Sequence, residues 1–481
     1  MSDRPNVIVL VSDTFRPDHL GANGHPYCRT PELDAFVRSA VSFDGATVSS
    51  FPTIPMRTDW FTGRFSHPHH GWQPLDRAAF TLPKAFGLAG YTTQLLASTM
   101  HLLNGDFQRS FRHWDFLRGL EGDSPYSRLN QPLAALHADP RKTRHEYGSK
   151  SGSPALCDRS FHTNFRLRYE DEHHAQRLAT NVCRWIEDNW KGGPFFLWVD
   201  SFDVHEPWFP PEHLWRSYDP DYEGEPMCHP NYSSAGHYAP AELKNLQARY
   251  AATCTLLSRA FGRILRTVED AGLYENTIVL FMSDHGMYIG ERGRTGKTLI
   301  TPEASDCFPF HSELTRICWS MRLPAALGLK AAAPGTRFKQ PIQAPDLLPT
   351  LLELCGLKAP SNVKLDGSSL APLLRGDEEA PPRPVAVTAS TCKTSLADGI
   401  LNSRRPAVTD GTWTLLLSEP PEPLAPKLFH VAEDPAQQRD AFREHRDEAV
   451  RLHGLMLAFL KEKGAPAEAL ERLGRTNVGL A

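Results

Sequence analysis

Asn6-Val7-Ile8-Val9-Leu10-Val11-Ser12-Asp13 opens the chain with an uncharged run that closes on a carboxylate. Val7, Ile8, Val9 and Val11 are β-branched, and polar residues do not alternate with apolar ones. A strand of that kind is buried on both faces, the condition of a parallel sheet covered by helices. Two later stretches repeat the pattern. One is Phe195-Phe196-Leu197-Trp198-Val199-Asp200. The other is Asn276-Thr277-Ile278-Val279-Leu280-Phe281-Met282-Ser283, followed by Asp284 and His285. Residues 91–97 read as a further strand. Helical signals lie between these runs. Thr30 reads as an N-cap, with Pro31 at the first helical position and Leu33, Phe36 and Val37 on one face. Residues 82–88 read as a short helix ended by Gly90. Leu178, Val182, Trp185 and Ile186 recur at helical spacing over 174–190, and a long helix spans 241–271 before Gly272. Strand and helix in alternation predict an α/β protein with a large, mainly parallel central sheet flanked by helices.

Two stretches stay outside this alternation. Residues 118–165 and 206–238 are polar or proline-rich and loop-like, and both read as rims of a site. Residues 378–384 read as a charged, proline-rich linker. Beyond it, 385–390, 406–410 and 412–417 read as short strands and 440–463 as a helix. The expected organisation is a catalytic domain over 1–376 and a smaller α+β domain with a short antiparallel sheet over 385–481. The 481 residues carry 52 Lys and Arg against 56 Asp and Glu, a net charge of −4. So even a balance supplies no basic patch for nucleic acid. No run of about 18 apolar residues is present to span a membrane. The first residues pass straight into a strand without a secretory h-region. Nine cysteines stand singly, without a C-x-x-C pair. A reduced, cytoplasmic setting is expected.

The chemistry gathers where the strands end. Asp13, Asp203 with His205, and Asp284 with His285 follow buried strands, and ligand sites in open α/β sheets form at that edge. Asp284-His285-Gly286 offers a carboxylate and an imidazole to one cation across a tight turn. In Ser50-Phe51-Pro52-Thr53-Ile54-Pro55-Met56-Arg57 a hydroxyl, Thr53, stands at the mouth of a helix, with Arg57 one turn on. Free N–H groups and the helix dipole favour an anion there, and Arg57 can fork onto it.

These motifs, in order, resemble the sulfatase family of the alkaline phosphatase superfamily. Pro5–Asp13 with Asp18-His19-Leu20-Gly21 resembles the family's opening, and Thr30-Pro31-Glu32-Leu33-Asp34 its next signature. Thr53-x-Pro55-x-Arg57 with Thr62-Gly63-Arg64 resembles the nucleophile motif apart from its first position. Asp203-Val204-His205-Glu206-Pro207, Ser283-Asp284-His285-Gly286, Asp346-Leu347-Leu348-Pro349-Thr350 and Lys427-Leu428-Phe429-His430 follow. The resemblance implies an alkaline-phosphatase-like sandwich, an ester hydrolase and a small anionic ester as substrate. It also makes a homo-oligomer plausible. His205 matches the family's leaving-group histidine and Lys297 its later catalytic lysine.

The departures are as informative. Typical members carry Cys or Ser, converted to formylglycine, where this chain has Thr53, so no formylglycine is expected. Thr14 replaces a second carboxylate, His285 an asparagine, and Thr99, in Ser98-Thr99-Met100-His101, a lysine. An Asp-His pair and a threonine near position 99 are more like the phosphonate monoester hydrolase and phosphodiesterase branch. The resemblance therefore implies one divalent metal held by Asp13, Asp284 and His285, with Thr14 and Thr53 as further oxygen donors. The mixed set favours Mn, Zn or Fe, with Ca possible. Thr53 is the expected nucleophile, with Arg57, Lys297, Thr99 and His101 on the anion and His205 as acid. Three other readings stand beside this one: an arylsulfatase-like sulfuric ester hydrolase, a silent homologue that binds an anion, and a two-metal phosphodiesterase with a second site from Asp203, His205 and His311.

Overall fold

A computed structural model describes residues 4–120, 167–300, 305–377, 383–390, 405–417 and 425–475, together with 123, 137–142, 144, 163 and 164. Most of the expected rim over 118–165, most of the linker over 378–384, and Cys157 and Cys392 lie outside these residues.

The apolar strands form the middle of an eight-stranded sheet. Its order is Arg337–Phe338, Val41–Phe43, Trp319–Arg322, Thr277–Ser283, Asn6–Ser12, Phe195–Ser201, Thr92–Ala97, His113–Phe116. Asn6–Ser12 pairs in parallel with Phe195–Ser201 on one side and Thr277–Ser283 on the other. Trp319–Arg322 alone runs antiparallel to both of its neighbours. Every residue of the three central strands is buried, as expected for strands covered on both faces.

Alternation along the strands sorts their side chains into two cores. Ile8, Leu10, Leu197, Val199, Val279 and Phe281 face the layer of Pro31–Ser39, His174–Asn189 and Pro240–Asp270. Val7, Val9, Val11, Trp198, Leu280 and Met282 face the layer of Thr53–Thr62, Leu82–Leu88 and Leu347–Leu354.

The sequence-read helices and strands lie within a few residues of their expected bounds, with one shift worth explaining. The last long helix begins at Arg446 rather than 440. Asp440 Oδ1 accepts the backbone N–H groups of Leu428 and Phe442, which holds 440–445 in turns. Thr30 precedes its helix without capping it. Its hydroxyl donates to Asp34 Oδ1 at 2.9 Å and accepts the Gly21 N–H at 3.0 Å.

The second sheet has five strands, ordered Lys427–Phe429, Thr414–Leu416, Ala407–Thr409, Ala386–Ser390, Ser50–Phe51. Four come from the C-terminal region and pair antiparallel in sequence order. The fifth, Ser50–Phe51, belongs to the segment that leads into Thr53, and it pairs in parallel with Ala389 and Ser390. The C-terminal sheet thus takes one of its strands from the first sixth of the chain. A third apolar core joins this sheet to Arg446–Glu462, through Val387, Val408, Leu415, Leu428, Leu452 and Met456, and it includes Phe65 from just past the Thr53 helix.

Candidate active site

The face that carries Val11, Trp198 and Met282 towards Thr53–Thr62 continues past the apolar residues. Val11 pairs with Asp200 and with Met282. Asp13 lies two residues beyond Val11, Asp200 two beyond Trp198 and Asp284 two beyond Met282. The period of two therefore turns all three carboxylates to the side where Arg57 stands.

Thr53–Thr62 is buried from Thr53 through Phe61 on every side, so Arg57 cannot reach water. Its guanidinium is divided among the carboxylates. Nη2 and Nε donate to the two oxygens of Asp200 at 2.8 and 3.1 Å, Nη1 lies 2.5 Å from Asp284 Oδ2, and Nη2 lies 3.3 Å from Asp13 Oδ2. Asp200 also accepts the Thr99 hydroxyl at 2.6 Å and Trp198 Nε1 at 3.1 Å. The sequence reading took Asp200 only as the end of a strand and missed this role. The signal was present: Trp198-Val199-Asp200 closes an apolar run on a carboxylate, as Val11-Ser12-Asp13 does.

Asp13, Asp284 and His285 present ligand atoms all within 4.8 Å of one another, and all three are fully buried. Asp13 Oδ2 accepts no hydrogen bond. A buried carboxylate oxygen without a hydrogen bond, its ion-pair partner Arg57 Nη2 at 3.3 Å, fits a divalent cation when a second carboxylate and an imidazole stand beside it. The protonation pattern agrees. Burial opposes ionisation of both acids. Asp13, facing Asp284, is pushed well above the usual carboxylate range. Asp284 is nevertheless held below it, by the neighbouring His285 and Arg57 and by the Thr14 N–H. Burial pushes the His285 imidazole down to about 3, so it is neutral. Its Nδ1 lies 3.1 Å from the Gly286 carbonyl and donates to it, which leaves Nε2 as the lone-pair nitrogen. Thr53 Oγ1 lies 3.2 Å from that nitrogen. Gly286 is required by close approach: a Cβ there would stand 2.1 Å from the Glu313 carbonyl oxygen.

Thr14 closes the site. It sits at φ 62°, a left-handed conformation costly for a β-branched residue. Three hydrogen bonds hold it there. Its N–H donates to Asp284 Oδ1 at 2.9 Å, its hydroxyl to Asp13 Oδ1 at 2.7 Å, and its carbonyl accepts the Tyr250 hydroxyl at 2.9 Å. Lys297 Nζ stands 3.3 Å from the Thr14 hydroxyl.

His205 is buried, with Nδ1 2.6 Å from the Glu206 carbonyl, 3.4 Å from Glu206 Oε2, and its ring stacked on Phe202. Glu206, fully buried, also takes the Tyr232 hydroxyl, a partner that the sequence reading did not foresee. His101 is half-buried between Trp72 and Phe202. Asp203 is buried, its carboxyl pushed up to about 7 by burial. His311 Nδ1 lies 2.8 Å from the Tyr288 hydroxyl. Among the described residues Asp13, Asp284 and His285 are the single cluster able to hold a metal, and Asp203, His205 and His311 do not form a second. The described residues also contain no helix long and apolar enough to cross a membrane. No disulfide joins any of their seven cysteines.

Known proteins share this framework. The ulvan-active sulfatase of Formosa agariphila is 25% identical over 400 residues, which cover 78% of this chain and 66% of that protein, just under two thirds of its length. The multifunctional alkaline phosphatase superfamily protein PehA of Trinickia caryophylli is 24% identical over 424 residues, covering 77% of each. The crystal structure of the phosphonate monoester hydrolase of Agrobacterium radiobacter superposes with a TM-score of 0.72 at 20% identity, covering 96% of both chains. Sulfatases and phosphonate monoester hydrolases are ester-bond hydrolases. A family model described as Sulfatase matches residues 5–357, a span that holds every side chain of the site just described, and on that match the chain belongs to the sulfatase family.

Proposed function

We propose that the protein is a metal-dependent hydrolase of phosphate diesters or phosphonate monoesters, with Thr53 as its nucleophile. The observation that carries this reading is the buried Thr53 hydroxyl, 3.2 Å from the lone-pair nitrogen of His285 at the edge of the Asp13–Asp284–His285 group. A divalent ion of the Mn, Zn or Fe type, held by those three residues with Thr14 and Thr53 as further oxygen donors, would supply Lewis-acid polarisation and a lowered hydroxyl pKa.

The chain's own residues account for the rest. The Gly286 carbonyl fixes the His285 tautomer, so Nε2 is a ligand and does not also take a proton. Arg57, already divided among three carboxylates, opposes the repulsion between Asp13 and Asp284 and holds Thr53 through its carbonyl, 3.2 Å from Nη1. Thr99 acts through Asp200 and so positions Arg57. Lys297 and His101 bind the ester anion. The Thr53 hydroxyl gives its proton to solvent, and its oxygen forms a bond to phosphorus as the bond to the leaving oxygen breaks. His205 gives that oxygen its proton, with the Glu206 carboxylate beside Nδ1 to favour the imidazolium. Water then attacks phosphorus and gives one proton back to His205, the bond between phosphorus and the Thr53 oxygen breaks, and that oxygen takes a proton from solvent, which restores the hydroxyl.

The choice of phosphorus rests on the nucleophile. A threonine has no aldehyde carbon, so a threonyl ester cannot collapse by C–O cleavage and must be attacked at its central atom. With metal assistance a phosphoryl group admits that attack. A sulfate ester remains the second reading, favoured by the sulfatases among the relatives.

Nitrophenyl phosphodiester, phosphonate, phosphate and sulfate, each with added Mn or Zn, separate these readings. Turnover is expected on the first two. Thr53→Ala is expected to lower it by about three orders of magnitude or more while bound Mn stays at one per chain by elemental analysis, because the three ligands remain. Full activity in Thr53→Ala would assign the nucleophile to water, and absence of turnover on all four esters would favour a silent binding protein.

A further inference from the structure

On the far side of the loop that carries His205, a cleft of about 440 Å³ is walled by Leu167, Phe209, Pro210, Trp215, Tyr222 and Pro226. Arg249, on the helix Pro240–Asp270, forms its charged base. It is 7% exposed. A guanidinium so buried normally forks onto a carboxylate. This one does not. Nε donates to Asn245 Oδ1 at 2.9 Å, and the group lies 4.6 Å from the centre of the Trp215 ring. Among the described residues the bond to Asn245 is the one hydrogen bond this guanidinium donates, and it makes no ion pair.

The neighbouring arginine shows the contrast. Arg216 also lies 4.6 Å from the Trp215 ring centre. It pairs with Glu212 at 2.6 Å and Glu223 at 3.1 Å and donates to the carbonyls of Pro220 and Tyr222. Asp219, beyond Asn245, is taken by Lys244 at 2.6 Å. The carboxylates near the cleft are thus committed, and the outer edge of Arg249 has no partner among the described residues. Tyr250, the next residue on the helix, turns to the Thr14 carbonyl, so the cleft and the metal-ligand group lie on different sides of one helix.

We infer that this cleft is a second ligand site, which binds a monocarboxylate on a flat apolar body, an aryl carboxylate in the simplest case, end-on to Nη1 and Nη2 of Arg249. Two parallel N–H donors match the two oxygens of a carboxylate. The aromatic and proline walls match a flat apolar body, and the volume suits a small molecule. Charge sets the valence. Arg216 and Arg249 balance Glu212 and Glu223, so one negative charge meets an unsatisfied donor pair, whereas a dianion would also meet two carboxylates. The site stands apart from the reaction at Thr53 and does not depend on it.

Calorimetric titration of benzoate, phenylphosphonate and inorganic phosphate into the full-length protein tests this. Benzoate is expected to bind the wild type at one per chain, and more tightly than either phosphorus anion. Arg249→Gln should weaken it at least tenfold. Leu167→Glu leaves Arg249 in place but gives the cleft its own carboxylate, and it should weaken benzoate by a similar factor. If Arg249→Gln fails to fold, Leu167→Glu decides alone. Both variants should keep the ester turnover of the wild type. Benzoate binding that is absent from the wild type, or unchanged in a folded variant, would overturn the inference, as would preference for phosphate or phenylphosphonate.

Discussion

Arg57 and Asp200 form a buried pair with no water to share the charge. Taking one partner from a buried pair costs about 3–5 kcal/mol, an upper bound here because Arg57 keeps Asp284 and Asp13. Asp200→Ala is therefore expected to lower unfolding free energy by up to that amount in urea titration, and to lower turnover, because it also leaves Trp198 Nε1 without its partner and the Thr99 hydroxyl with only the residue 200 carbonyl at 3.5 Å. Thr99→Val removes one hydrogen bond to a charged acceptor, worth about 1.5–3 kcal/mol, and should fall between wild type and Asp200→Ala. If Thr99→Val costs turnover but no stability, the hydroxyl faces the substrate rather than Asp200. At this scale the sequence was legible for Asp13, Asp284, His285 and Thr53, since each follows a readable strand or opens a readable helix. It was not legible for the pairing. Arg57 has three carboxylates within reach, and which of them it forks onto depends on strand register across separations of more than a hundred residues.

At the scale of the element, the helix Thr53–Thr62 is held by a carboxylate that faces away from the reaction. Asp59 accepts the hydroxyls of Ser49 and Ser50 at 2.5 and 2.6 Å and the Ser66 N–H at 2.8 Å, so it ties the entering strand and the departing turn to one point. Burial pushes its carboxyl up to about 7 in spite of these donors. The folded state then holds this proton more firmly than the unfolded chain, whose aspartate titrates near 4. The contribution of Asp59 is fully present below about pH 4 and is lost as pH rises through about 7, a change on the order of a few kcal/mol. Asp59→Asn keeps the neutral form at every pH, because the serine hydroxyls can turn to accept from its amide. The melting temperature of the wild type should fall more steeply than that of Asp59→Asn between pH 5 and 8. Parallel curves would show that Asp59 stays ionised across the range. The helix itself was only half legible. Its motif is specific, yet its even burial leaves no apolar stripe to say that both faces are covered.

For the whole molecule, the composition of the sequence suggests a division at a proline-rich linker into 1–376 and 385–481. The strand Ser50–Phe51 crosses that division. Two residues carry too little pattern to announce a strand, and parallel pairing with Ala389 and Ser390, more than three hundred positions away, leaves no local mark. A chain ended after Gly376 would lose four of the five strands of that sheet and the partners of Phe65, and would leave Ser50–Phe51 as an open edge. Such a chain is expected to be poorly soluble and without ester turnover even if bound metal is retained. Full turnover in the truncated chain would show that the strand leading to Thr53 needs no partner. The same pairing has a meaning in time. A ribosome releases Thr53 more than three hundred residues before Ala389, so the strand that precedes Thr53 waits that long for its partner. A nascent or prematurely stopped product that ends before Ala386 already carries Thr53, Asp13, Asp284 and His285 but lacks the strand that pairs with Ser50–Phe51, so the turnover proposed for Thr53 is expected only of polypeptides translated past that strand.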